Sequence, residues 1–116
     1  DLLAIRKPIP AIVSILHRAS GALLFLVGIP ALLWGVQASL ASPESYASFR
    51  AFVGHPLAKL VALALVWAYL HHLFAGFRHL TQDLHVGLDL GPARRSAAAV
   101  FAAALLITLI VAIRLW

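Results

Sequence analysis

The sequence contains no cysteine and no methionine, and it has few acidic residues. Of its 116 residues, only 4 are Asp or Glu. Without a thiol, the chain cannot form a disulfide, present a thiolate nucleophile, ligate an iron–sulfur cluster or build a cysteine-based zinc site. Any iron–sulfur chemistry connected with this protein must therefore come from another chain.

Charged residues are scarce and apolar residues dominate. The chain is 63% hydrophobic and 11% charged, with a mean hydropathy of +0.98, whereas soluble domains carry roughly 25% charged residues. A domain of this size has too little interior to hide so much apolar surface, so lipid must cover it. The composition predicts an integral membrane protein with one domain, residues 1–116, that cannot be a soluble enzyme by itself.

Long apolar runs predict an all-α fold with three transmembrane helices. The run at residues 19–41 contains no charged residue, and as a helix it is long enough to cross a hydrocarbon core of roughly 30 Å. The three transmembrane helices are expected at about residues 11–40, 57–84 and 93–115.

Proline and glycine mark where these helices bend or stop. Pro30 lies inside the first span, where we expect a kink rather than a break. Ser42 followed by Pro43 predicts the N-cap and first residue of a short interfacial helix. Residues 87–92 are expected to form the turn before the last span. Asp1, in place of an initiator methionine, indicates a processed or incomplete N-terminus.

The basic residues lie mostly at the edges of the apolar runs. The net charge of +5 therefore indicates topology signals and lipid headgroup contacts rather than nucleic-acid binding. With a cytoplasmic N-terminus, the inner flanks hold six basic residues and the outer flanks three, a bias that favours this orientation. The inner set is Arg6, Lys7, Arg18, Arg78, Arg94 and Arg95, and the outer set is Arg50, Lys59 and Arg114.

The first helix carries a polar group near its cytoplasmic end. Ser14 and Arg18 are four residues apart and share a face, and His17 lies on the adjacent face. One interpretation is an arginine that snorkels to the interface. The other is a cationic clamp for an anionic or carbonyl group, assisted by the Ser14 hydroxyl and by His17.

The second helix has a continuous polar face at membrane depth. Its members follow at steps of three and four residues: Tyr69, His72, Gly76, His79 and Asp83. Ionisable residues at this depth are functional candidates, and imidazole suits the axial ligation of a haem buried between helices. Gly76, one turn from His72, would leave room for a flat macrocycle.

Among the neighbouring histidines, His72 is the best candidate ligand. His71 points about 100° away from the Gly76 face, and His79 lies roughly 10 Å closer to the cytoplasmic end. The alternative is that these histidines only satisfy contacts between helices. Because no other helix offers a histidine at mid-membrane depth, the second axial ligand should come from another subunit.

Two motifs resemble a known family. Residues 14–21, SILHRASG, resemble the signature S-x-x-H-R-x-[ST]-G of cytochrome b membrane-anchor subunits of succinate dehydrogenase (complex II). Residues 72–83, HLFAGFRHLTQD, resemble the second signature, H-x-x-x-G-x-R-H-x-x-x-D. Both occur in the family's order, and residues 1–21 are similar to the segment that leads into the first helix of proteobacterial members.

The resemblance implies a shared electron-transfer assembly in the bacterial inner membrane. This chain would form half of a heterodimeric bundle that sandwiches one haem b with a second three-helix anchor subunit. A flavoprotein with FAD and an iron–sulfur subunit would dock on the cytoplasmic face and pass electrons from succinate to ubiquinone. The family's haem ligand maps to His72, its quinone-site residues map to Ser14 and Arg18, and His17 and Arg18 map to the haem propionate region.

Some assignments stay open at this point. The roles of His71, Arg78, His79 and Asp83 are undecided between propionate contacts, proton access, docking and structure. A fumarate reductase anchor that works in reverse with menaquinol is one alternative function. A haem-free structural membrane subunit, whose histidines serve packing, is the other.

Overall fold

The computed structural model describes residues 4–116, so the expectation about Asp1 and the first three residues of the leading segment lie outside it. The described residues contain no β-strand. Their helices are α1 (Ile9–Ala41), α2 (Pro43–Val53), α3 (Pro56–Asp83) and α4 (Leu90–Leu115).

Three of these helices are long and apolar enough to cross a membrane. α1, α3 and α4 have 33, 28 and 26 residues, which at 1.5 Å per residue gives about 50, 42 and 39 Å. Each length exceeds the roughly 30 Å of a hydrocarbon core. The prediction of an all-α membrane protein with three membrane-spanning helices is therefore confirmed.

α1 is continuous but contains a π-helical turn at Leu24–Gly28, just before Pro30. The N–H of Ile29 bonds to the carbonyl of Leu24, five residues back. In a regular α-helix the ring of Pro30 would clash with the carbonyl of Leu26, and proline has no N–H to donate. The wider turn relieves the clash and leaves no carbonyl waiting for the missing N–H. The disturbance expected at Pro30 therefore takes the form of a π turn, and the helix is not broken.

The short helix α2 begins as the sequence predicts. Ser42 has an extended backbone, and its hydroxyl accepts a hydrogen bond from the N–H of Ser45 at 3.0 Å. Pro43 occupies the first helical position, where its missing N–H has no partner to lose. α2 therefore starts immediately after α1 ends.

The connection between α3 and α4, residues 84–89, is as long as the predicted turn but lies three residues earlier. α4 begins at Leu90, so Pro92 lies in its first helical turn, where proline is tolerated. The chain reverses through two residues with positive φ, His85 at 61° and Gly87 at 74°. The turn expected at residues 87–92 therefore lies a few residues earlier.

The three spanning helices pack closely around small side chains. Ala75 of α3 and Ala97 of α4 are fully buried with Val13 of α1, and Phe74 and Phe101 pack against them. Alanine lets helix backbones approach closely inside a membrane. This core lies where the first half of α1 contacts both α3 and α4.

Beyond the π turn, α1 diverges from the other spanning helices. From Ile29 onward it packs on α2 and on the π turn but not on α4. Trp34 of this half contacts the rings of Phe49 and Phe52 of α2 at 5.4 and 5.3 Å. An apolar cleft of about 1430 Å³ lies between it and the first half of α3. The bundle is therefore tight at one end and open at the other.

Candidate functional site

Three imidazole rings from two helices meet at the tight end of the bundle. The rings of His17 on α1 and His72 on α3 stack face to face, with centroids 4.1 Å apart and planes at 9°. His79, two turns along α3, meets His17 edge-on at 5.0 Å. Two predicted site residues, His17 and His72, are therefore in direct contact.

The ring of His72 is held by the backbone of α1. Its Nδ1 lies 2.9 Å from the carbonyl oxygen of His17 and 3.3 Å from the hydroxyl oxygen of Ser20. Because a carbonyl oxygen can only accept, the hydrogen of the neutral imidazole resides on Nδ1. This tautomer leaves the lone pair of Nε2 free for a ligand.

Gly21 brings the α1 backbone against the same ring. A Cβ atom at this position would lie 2.8 Å from Cε1 of His72 and 3.3 Å from its Nδ1. Protein interiors contain no such contacts without displacement, because side chains and backbone are close-packed. Only glycine lets the His72 ring rest on α1 in this way.

Gly76 faces the second ring of the stack. A Cβ atom here would lie 3.6 Å from Nε2 of His17, which is an ordinary contact distance. The ring of His17 therefore occupies the space beside Gly76 in this structure. The predicted role of Gly76 in packing a haem stays a prediction.

The adjacent His71 has a different environment. Its side chain is fully buried, at 0% exposure, between Trp67 and Phe101, whose rings lie 5.1 and 5.4 Å away. Its Nε2 is 3.5 Å from the carbonyl oxygen of Val13, and its Nδ1 has no partner within the described part of the chain. His71 thus belongs to the interior of the three-helix core, whereas His72 is only partly buried.

Ser14 and Arg18 lie at the same end of α1 as the histidine cluster. Ser14 is half-buried and Arg18 is exposed. Ser14 follows Val13, whose carbonyl oxygen lies near Nε2 of His71. Arg18 follows His17, whose carbonyl oxygen is bonded to Nδ1 of His72. The two side chains therefore lie one turn apart, beside the contact of α1 with α3.

Comparison with known proteins shows the family of this chain. Residues 1–111 match the family model described as succinate dehydrogenase/fumarate reductase transmembrane subunit. The chain belongs to this family. It is 32% identical over 105 residues to the succinate dehydrogenase cytochrome b556 subunit of Paracoccus denitrificans, covering 90% of this chain and 80% of that one. It is 34% identical over 117 aligned positions to the subunit of the same name from Coxiella burnetii, covering 100% and 93%. The resemblance to succinate dehydrogenase cytochrome b anchor subunits is confirmed.

The structure gives the first family motif two further contact residues. Ser20 and Gly21, its last two positions, touch the His72 ring, although the sequence assigned neither of them a role. The Ser20 contact joins residues 52 positions apart, and Gly21 is nearly as distant from His72 along the chain, so no local pattern could have shown either contact. Their place within the motif was the one available signal.

Only part of the predicted polar face of α3 meets α1. His72, Gly76 and His79 face His17. Tyr69, more than half exposed, lines the apolar cleft instead, and Asp83 is exposed at the end of α3. The polar face of α3 therefore contacts the histidine cluster in its middle, whereas its two ends lie in the apolar cleft and on the exposed surface.

Arg78, whose role the sequence left open, connects α3 to α4. Its side chain is buried, at 6% exposure. Its Nε–H donates to the hydroxyl of Ser96 at 3.0 Å, and a terminal N–H donates to the carbonyl of Ala93 at 3.4 Å. These bonds hold the end of α3 against the start of α4, which is a structural role.

Proposed function

We propose that this chain is the membrane anchor of a succinate:ubiquinone oxidoreductase and that His72 supplies one axial ligand of a haem b. The observation that carries the proposal is the hydrogen bond from Nδ1 of His72 to the carbonyl oxygen of His17, at 2.9 Å. Ligating histidines usually donate their second ring N–H to a carbonyl or carboxylate, which fixes the ring and raises the basicity of the other nitrogen.

The donor set fits haem rather than a bare metal ion. No group of three or more His, Cys, Asp or Glu side chains in residues 4–116 is arranged to hold a metal, so iron would need a macrocycle that brings its own nitrogens. A bound haem b would supply one-electron transfer. His72 would hold it, with His17 and Arg18 near its propionates, and Gly76 would lie beside it once the His17 ring had left the space that it occupies there.

The second axial ligand would come from a partner. His71 is enclosed in the core, and the ring of His17 is stacked beside that of His72 rather than opposite it. Of these three neighbouring histidines, His72 is therefore the one suited to hold the iron. We infer a second three-helix anchor subunit that contributes the other ligand and completes the bundle.

Ser14 and Arg18 would form this chain's part of the ubiquinone site. The Ser14 hydroxyl can donate to a quinone carbonyl oxygen. The cationic guanidinium of Arg18 would stabilise the negative charge that builds up on that oxygen as two electrons and two protons convert quinone to quinol. The exposure of Arg18 leaves it free to contact substrate or a neighbouring subunit.

The electrons would enter from partner subunits, since a chain without cysteine holds no iron–sulfur cluster. A flavoprotein with FAD and an iron–sulfur subunit would dock at the cytoplasmic end, where α1 begins. Exposed Arg6 precedes α1, and exposed Arg94 and Arg95 lie in the first turns of α4, as expected for the cytoplasmic side of an inner-membrane protein. By itself, the chain would not be an enzyme.

The test compares two adjacent histidines in the purified complex. His72→Ala should lose the haem, measured as haem per complex and as the b-type band in the reduced-minus-oxidised spectrum. His71→Ala should largely keep it, and His71→Phe repeats this comparison without leaving a cavity in the core. Succinate oxidation by artificial dyes controls for assembly of the hydrophilic subunits. The reverse pattern would overturn the ligand assignment, and an unpigmented parental complex would favour the haem-free structural subunit.

A further inference from the structure

We infer that Ser20 and Gly21 are positioning residues for the haem ligand, forming a seat on α1 for the His72 imidazole. The inference rests on the proposed function, in which His72 binds the iron. It concerns what fixes the direction in which Nε2 of His72 points. His72 belongs to α3, but the groups that contact its ring belong to α1.

Gly21 forms the steric side of the seat. An added Cβ would approach Cε1 of His72 to 2.8 Å, so the ring would have to move. It cannot move freely, because it stacks on the His17 ring at 4.1 Å and its Nδ1 is bonded to the His17 carbonyl. A ligand usually has to be held within about 0.5 Å of its productive position, so a displacement of this kind should disturb ligation.

Ser20 forms the polar side. The residue is buried, at 4% exposure, and its hydroxyl donates to the carbonyl of His17 at 3.0 Å. With its hydrogen committed there, the hydroxyl oxygen can only accept from Nδ1–H of His72, 3.3 Å away. Two fixed acceptors on Nδ1–H select one ring orientation and one tautomer, and threonine would retain the same oxygen.

The simpler interpretation is that Gly21 only permits close helix packing. Gly28, two turns along the same helix, provides a matched control. A Cβ there would meet only the flexible side chain of Leu24 on its own helix, at 3.3 Å. Alanine replaces glycine within α1 in both variants, but only Gly21→Ala touches the ligand.

The experiment uses the purified complex containing Gly21→Ala, Gly28→Ala, Ser20→Ala or Ser20→Thr. The readouts are haem per complex, the electron paramagnetic resonance spectrum of the oxidised haem and its reduction potential. We expect Gly21→Ala and Ser20→Ala to weaken haem binding roughly 10- to 100-fold, the usual effect of losing an outer-shell partner, with altered resonance and potential in the haem that remains. Gly28→Ala and Ser20→Thr should match the parental complex.

The inference would be overturned if Gly21→Ala and Ser20→Ala both kept the parental haem content, resonance spectrum and reduction potential. If His72→Ala still lost haem, the proposed function would stand. Retention of haem by His72→Ala would overturn both. If Gly21→Ala prevents assembly, as judged by dye-linked succinate oxidation in membranes, the comparison of Ser20→Ala with Ser20→Thr decides. If Ser20 served packing alone, Ser20→Ala would not shift the haem spectrum while Ser20→Thr kept the parental spectrum.

Discussion

The buried contact between Arg78 and Ser96 leads to an asymmetric prediction. We expect Ser96→Ala to destabilise the bundle more than Arg78→Met, although arginine is much the larger residue. Arginine stays protonated in proteins, so Ser96→Ala leaves a buried charge whose remaining described acceptor is the Ala93 carbonyl at 3.4 Å. Arg78→Met removes the charge together with its desolvation penalty.

The magnitudes follow from the geometry. The Nε–H of Arg78 lies 3.0 Å from the Ser96 hydroxyl, and a hydrogen bond to a charged group contributes about 1.5–3 kcal/mol. Ser96→Ala should therefore lower the free energy of unfolding by about 2 kcal/mol. Arg78→Met should cost less than about 1 kcal/mol, because apolar replacement of a buried charge is often near neutral and Ser96 keeps its bond to Ala93 at 3.1 Å.

The measurement is a titration with SDS in mixed micelles, followed by the loss of helical circular dichroism. The double variant should resemble Arg78→Met, so the coupling energy in a double-mutant cycle should equal the full effect of Ser96→Ala, about 2 kcal/mol. Arg94→Met is the control, since Arg94 is exposed near the start of the same helix and should change stability by less than about 0.5 kcal/mol. A larger loss for Arg78→Met than for Ser96→Ala, or simple additivity, would refute the reasoning.

Two further predictions concern the quinone pair, which is Ser14 and Arg18, and the buried core. Arg18→Leu should lower succinate:quinone activity about 100-fold, as for the loss of one charge-stabilising donor, while dye-linked succinate oxidation and the control Arg50→Leu on α2 stay unchanged. Unaltered quinone reduction would remove Arg18 from the site. Ala97→Leu should cost about 1–3 kcal/mol by overpacking the fully buried core, whereas the adjacent, exposed Ala98→Leu should stay within about 0.5 kcal/mol. Equal losses in the SDS titration would contradict the packing described.

Features that depend on neighbouring residues in the chain could be predicted from the sequence. The spanning helices follow from long, predominantly apolar runs, and the cap at Ser42 follows from serine before proline. The position of the disturbance at Pro30 is equally local. Its form is not, because a proline in a helix can be relieved by a kink, by water or by a wider turn. The structure shows which of these relieves Pro30, a π turn at Leu24–Gly28.

The candidate site was predictable only in part. The helical period separates His71 from His72 by about 100°, and in the structure the first lies in the core and the second against α1. Which groups would meet each ring was not accessible, since the contacts join residues 52 to 58 positions apart. The bond from Arg78 to Ser96 was missed for the same reason, because arginine at a span's end ordinarily indicates a topology signal.

The first half of α1 carries residues of both the proposed haem site and the proposed quinone site in one continuous helical segment. His17, Ser20 and Gly21 present backbone and hydroxyl groups to His72, while Ser14 and Arg18 lie within the same two turns. A shift in the register of α1 against α3 would therefore displace the haem ligand and the quinone pair together. The π turn ends this segment, and beyond it α1 leaves α4 and follows α2. The π turn that accommodates Pro30 thus lies just after the part of α1 whose register matters for the site.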